Sequence, residues 1–162
     1  MVFLFTFLFP VLNIFVMYKL KRIQSITLSA QHERTYPYIT TSIFYFGLFY
    51  LLKDLNIWNN IKLFVLGGGV IIFLCALINM RYKISAHMAG LGGLIGLMVA
   101  AAYLIQINMI PYYIVLVILT GAVGSARLFL NEHRPSQIYS GFILGLFTQL
   151  AIFFGFHALS LI

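Results

Sequence analysis

Six apolar stretches, near residues 2–19, 38–53, 62–80, 87–105, 112–129 and 138–160, run almost without charge along the chain. A helix needs about 20 mostly apolar residues to cross roughly 30 Å of hydrocarbon. The stretches are continuous rather than alternating, so they predict helices and not the strands of a barrel. The expected fold is therefore all-α: a single membrane-embedded domain over 1–162, built as a polytopic bundle of about six transmembrane helices. Hydrophobic residues make up 62% of the chain and charged residues 8%, against roughly 45–50% and 25% in an average protein. So little charge cannot coat a soluble globule. That excludes a soluble enzyme, a disordered tail and a nucleic-acid-binding module.

Met1 opens directly onto the first stretch, with no basic leader before it and no small-residue cleavage site after it. A retained span is expected there rather than a removable signal peptide, and the abrupt start leaves room for a further segment upstream. Cys75, the single cysteine, lies inside an apolar run, so no intrachain disulfide is possible.

Six crossings place the first, third and fifth loops (20–37, 81–86 and 130–137) on one side. That side carries Lys19, Lys21, Arg22, Arg34, Arg81, Lys83, Arg127 and Arg134, together with His32, His87 and His133, while Lys53 and Lys62 lie opposite. The charge bias marks the basic side as cytoplasmic, although residues kept to hold a phosphate would inflate the same count. With a net charge of +7, the expected partners are membrane lipids, anionic ones above all. Gly92-x-x-x-Gly96 and Gly141-x-x-x-Gly145 each place two small residues on one helix face, where neighbouring backbones can approach. Gly67-Gly68-Gly69 would loosen or bend the third span. Trp58, Tyr112 and Tyr113 fit an interfacial belt, and His157 a hydrogen-bonded packing residue.

Two clusters of ionisable residues lie at the basic boundary. In Lys83-Ile84-Ser85-Ala86-His87, Ser85 is expected to cap the fourth span. The free amides of that helix start would then suit a phosphate, with Lys83 adding charge and His87 a titratable ring. In the second cluster Arg127 ends the fifth span, and Pro135 suits a first helical turn, so the sixth helix should start near Arg134. Gln137 can then reach back to His133. The bland alternative is a set of snorkelling and orienting residues. Convergence of His87, His133 and Arg127 on one face favours function over that alternative.

At these residues the chain resembles the type 2 phosphatidic acid phosphatases, integral-membrane lipid phosphatases related to the vanadium haloperoxidases. The family's second motif is P-S-G-H; Ile84-Ser85-Ala86-His87 keeps its serine and histidine. Its third is S-R-x5-H-x3-D; Arg127, His133 and Gln137 reproduce the spacing, with Ala126 for serine and Gln137 for aspartate. The resemblance covers roughly residues 80–150 and, more loosely, the six-helix plan. The first motif, Lys-x6-Arg-Pro, is not matched: Thr27 stands seven positions before Arg34, and the proline is Pro37. Glu33-Arg34-Thr35-Tyr36-Pro37 would be a relocated substitute, or else Arg81 and Lys83 supply the charge.

The resemblance implies a lipid-phosphate phosphatase of a bacterial inner membrane. Its substrate would be phosphatidic acid, phosphatidylglycerol phosphate or a polyprenyl pyrophosphate. His133 would attack phosphorus to form a phosphohistidine, and His87 would protonate the leaving alcohol and later activate water. Arg127, with Lys83 or Arg34, would hold the phosphoryl oxygens beside Ser85. No cofactor is implied, and the three carboxylates of the chain form no metal-ligand set. Gln137 accepts the hydrogen bond expected of the family's aspartate but brings no charge, and its amide can flip. The protein would then be a slow enzyme, an enzyme that borrows Glu132, or a relative that binds lipid phosphate headgroups without hydrolysing them. A small transporter is disfavoured because the polar groups sit at one boundary and not at the midplane.

Overall fold

The computed structural model describes residues 1–26, 28, 30–106 and 108–158. Thr27 and the end of the expected sixth span, 159–160, lie outside the described residues. Every regular element among these is helical: a π-helical segment Leu4–Leu8 leads into α1 (Phe9–Lys19), followed by α2 (Gln31–Leu52), α3 (Asn59–Asn79), α4 (Ala86–Ile105), α5 (Ile110–Phe129) and α6 (Pro135–Ala158). Four helices, α3 to α6, are long and apolar enough to cross a membrane. At about 1.5 Å per residue their 20 to 24 residues reach about 30 Å or more. Large apolar side chains cover the outside: Ile114, Val115, Val117, Ile118 and Leu119 are all exposed on α5. Water would penalise such a surface, whereas lipid tails match it.

The helices alternate in direction, so α2, α4 and α6 begin at the end of the bundle where α1, α3 and α5 finish. The tightest pairing is α4 with α6, and the glycines explain it. A Cβ on Gly145 would collide with the carbonyl of Ala89, and one on Gly92 with the carbonyl of Phe142. Gly96 and Gly141 face the Leu146 and Ser85 carbonyl oxygens in the same way. Both small-residue motifs thus serve one interface, in which backbone meets backbone. Gly67, Gly68 and Gly69 do not interrupt α3, contrary to the expectation of a bend. They accept Gln149, Tyr45 and Phe46 instead.

The largest departure from expectation is α2, which starts at Gln31 rather than near 38. Residues 31–36 are polar and carry no apolar signal, and Pro37 inside a helix argues against continuity, since it deprives the Glu33 carbonyl of a donor. Tertiary bonds hold these turns. Gln31 Nε2 donates to the Asn79 carbonyl at 2.7 Å, and Asn79 Nδ2 donates to the Gln31 carbonyl at 2.7 Å and to Thr35 Oγ1 at 3.1 Å. The end of α3 therefore clamps the start of α2 and brings Arg34 to the mouth of the bundle.

Candidate functional site

The fifth loop is shaped by backbone chemistry at the end of α5. Asn131 adopts the left-handed region (φ 54°), which asparagine tolerates better than most residues. Beyond it, the amides of Glu132 and His133 both donate to the Arg127 carbonyl, at 3.2 and 3.4 Å. Pro135 then opens α6, close to the expected start. Gln137 sits in the first turn, and its Oε1 accepts from the Arg134 amide at 3.1 Å. Here the first-turn glutamine reaches back to the residue before the helix. The same oxygen faces Nδ1 of His133 at 3.1 Å. Because the Arg134 amide can only donate, the glutamine cannot flip without losing that bond, and its oxygen stays on the histidine.

Arg34 approaches the opposite edge of the ring. Its Nη1 is 3.2 Å from Nε2 of His133, its Nη2 is 3.2 Å from Oε2 of Glu132, and its Nε donates to the Leu28 carbonyl at 2.6 Å. A guanidinium offers only donors. Nε2 must therefore accept, which places the ring proton on Nδ1, the tautomer that Gln137 also selects. Lys83 Nζ lies 3.7 Å from the same Glu132 oxygen. Upstream, Glu33 Oε1 accepts from the Gln24 amide at 2.5 Å and ties the first loop to α2. Burial is the main cause that pushes the pKa of His133 down to about 4; the Gln137 bond opposes it, and the Arg34 charge adds to it. The ring is neutral at neutral pH, with its lone pair on Nε2.

His87 and Arg127 form a second pair, Nη2 to Nε2 at 2.9 Å, so His87 too is an acceptor at Nε2. The Arg34 charge reaches this ring as well as that of His133, and it acts also on the hydroxyl of Tyr38, which lines the adjoining cavity. Beside His87 opens a cavity of about 330 Å³, lined by Tyr38, Tyr45, Ile71, Gly90 and Gly93 and running to Gln149 on α6. That volume lies at the lower end of the range typical of ligand pockets, about 300–1,000 Å³. It admits one apolar chain rather than a whole lipid.

Of the residues singled out in the sequence, His133, Gln137, Arg34 and Lys83 thus join one network, and His87 and Arg127 a neighbouring pair. Ser85 holds the cap position of α4 but makes no side-chain cap bond, which corrects the capping expected of it. Its hydroxyl is fully buried without a partner, while its amide donates to the Gln137 carbonyl at 3.3 Å. Arg34 and Lys83 meet at Glu132, whereas Arg81 and His32 are exposed, as is His87. His157 is exposed on the last turn of α6 and not packed as expected. Sequence reasoning missed Tyr38. A signal existed, because Tyr38 is four residues after Arg34 and shares its helix face, but only if α2 is extended to its true start. Among the described residues no group of three or more His, Cys, Asp or Glu is placed to hold a metal ion.

No known protein family, curated protein or solved structure matches the chain.

Proposed function

We propose that this protein is a lipid-phosphate phosphatase of a bacterial inner membrane, related to the type 2 phosphatidic acid phosphatases. We propose also that all six helices cross the bilayer, with the site at one boundary. The observation that carries this reading is the bracketing of His133: Gln137 takes the proton-bearing Nδ1, and Arg34 faces the lone pair on Nε2. That is the state a nucleophilic imidazole needs. Arg34 would pass from Nε2 to the phosphoryl oxygens as the phosphate enters, joined by Lys83 and Arg127. His133 Nε2 would then bond to phosphorus as the P–O ester bond breaks. His87, freed at Nε2 when Arg127 turns to the phosphoryl oxygens, would be protonated there by the P–OH of a monoanionic substrate. It would pass that proton to the departing alkoxide and then, neutral again, deprotonate the water that releases phosphate. Charge on the transferring group would be met by the three cations. The apolar cavity beside His87 supports a substrate with a long chain, be it phosphatidic acid, phosphatidylglycerol phosphate or a polyprenyl pyrophosphate.

A second reading, a relative that binds lipid phosphate headgroups without hydrolysis, is favoured by one feature. Gln137 supplies no negative charge to offset the imidazolium. The test is phosphate release from a panel of lipid phosphates by purified protein in detergent, beside His133→Ala. Release that disappears in the variant supports the enzyme, and headgroup binding without release supports the second reading.

A further inference from the structure

The place between Arg34 and Lys83, where a phosphoryl oxygen would sit, holds one carboxylate oxygen. Glu132 Oε2 lies 3.2 Å from Arg34 Nη2 and 3.7 Å from Lys83 Nζ. A ligand oxygen that reaches both cations has to replace it. We propose that Glu132 determines specificity, admitting phosphate monoesters and rejecting phosphodiesters by competing with the ligand for Arg34 and Lys83. This rests on the lipid-phosphate reading above.

Charge decides the competition. A phosphodiester brings one negative charge, the same as Glu132. Exchanging one for the other gains no attraction and leaves the carboxylate without its two cations. A phosphate monoester brings a charge of about −1.5 to −2 at neutral pH and three terminal oxygens. It can engage both cations at once with more charge than it displaces. Arg34 strengthens the effect because it divides its terminal nitrogens between Glu132 and His133. Displacing Glu132 therefore turns the guanidinium over to the group that lies against Nε2. For a protein surrounded by diester headgroups, such a competitor keeps the site open for the scarcer monoester.

Binding titrations in detergent micelles test this with three probes: a long-chain phosphate monoester, the methyl diester of the same lipid, and inorganic phosphate. Wild type should prefer the monoester, and in Glu132→Gln the ratio of monoester to diester affinity should fall about tenfold, the size of one charge-assisted bond. Inorganic phosphate, equally charged but without a chain, should follow the monoester on both proteins. Acetate should compete with the diester on Glu132→Gln and leave wild type unaffected, a rescue that damaged folding would not produce. If Glu132→Gln fails to fold, Glu132→Asp, which withdraws the carboxylate by one methylene, should shift the ratio in the same direction by less. An unchanged ratio, equal binding of both esters by wild type, or inorganic phosphate tracking the diester overturns the proposal. Any of these can coexist with His133-dependent phosphate release. Conversely, a Glu132-dependent ratio without release would remove the phosphatase and leave the selection.

Discussion

Nε2 of His133 accepts a hydrogen bond from Nη1 of Arg34 at 3.2 Å, although 99 residues separate them along the chain. The same guanidinium binds Glu132 and the Leu28 carbonyl, so one side chain holds together the first loop, α2 and the fifth loop. Arg34→Met would take the donor from the Leu28 carbonyl and one of the two cations from Glu132, and would remove a donor to the phosphoryl group. Phosphate release should fall about 10²-fold or more. Arg34→Lys keeps the charge but not the planar fork and should recover only part of that loss. Steady-state phosphate release at saturating lipid phosphate checks both.

Gln137→Glu keeps the length needed to reach the Arg134 amide and His133 Nδ1 while adding the missing charge. A carboxylate there should raise the pKa of His133 and stabilise the imidazolium side of the cycle, increasing the rate at least about tenfold, well within the effect of a neutral-for-charged change in a hydrolase triad. Gln137→Asp is one methylene shorter and should gain less. The pH–rate profile is the measurement, and its acid limb should move upward in Gln137→Glu. An unchanged rate with unchanged folding would count against a nucleophilic His133.

The pKa of His133 sets a pH dependence of stability whose sign can be worked out. The ring ionises near 6.5 when unfolded and near 4 when folded. Between those values the unfolded chain binds the extra proton. Stability from this group is therefore full above about pH 6.5 and is lost progressively as pH falls towards 4. Melting temperatures in detergent from pH 7 to pH 4 should fall more steeply for wild type than for His133→Gln, which has no proton to take up.

The membrane character and the histidine–glutamine cluster were legible because both rest on local order. Apolar runs mark helices, and Arg127, His133 and Gln137 are close in sequence around a turn fixed by Asn131 and Pro135. The polar start of α2 was not legible, because its stability comes from Asn79, some 48 residues on from Gln31. Arg34 consequently looked like a loop residue. Ser85 followed the usual residue preference for a cap, but packing against Gly141 places its backbone, and not its hydroxyl, in service of the fold. The glycine motifs showed which faces would pack without showing that α4 and α6 are partners, since spacing does not name the facing helix.

Gly145 tests that interface. A Cβ there meets the Ala89 carbonyl, and backbone cannot move aside as a flexible side chain would. Gly145→Val should force α4 and α6 apart, at a cost of about 1–3 kcal/mol or more, and lower the melting temperature measured in detergent. Because Ser85 and Gln137 lie at the top of the same interface, phosphate binding should weaken with it.

Gly90 lines the cavity one turn below His87, yet a Cβ there meets nothing within 4 Å. The two glycines therefore make opposite predictions. Gly90→Ala should keep the fold and stabilise α4 by about 0.5–1 kcal/mol, the usual advantage of alanine over glycine within a helix. Gly90→Leu projects a larger side chain into the space beside His87 that the substrate's chain would occupy, without touching the ionic network around His133. Release from a long-chain lipid phosphate should drop about tenfold or more, mainly through KM, since several buried methylenes at about 0.8 kcal/mol each lose their place. Release from a short-chain alkyl phosphate should stay within about twofold of wild type. If both substrates fall equally, the cavity is not where the chain lies; if neither falls, the chain enters the bundle elsewhere.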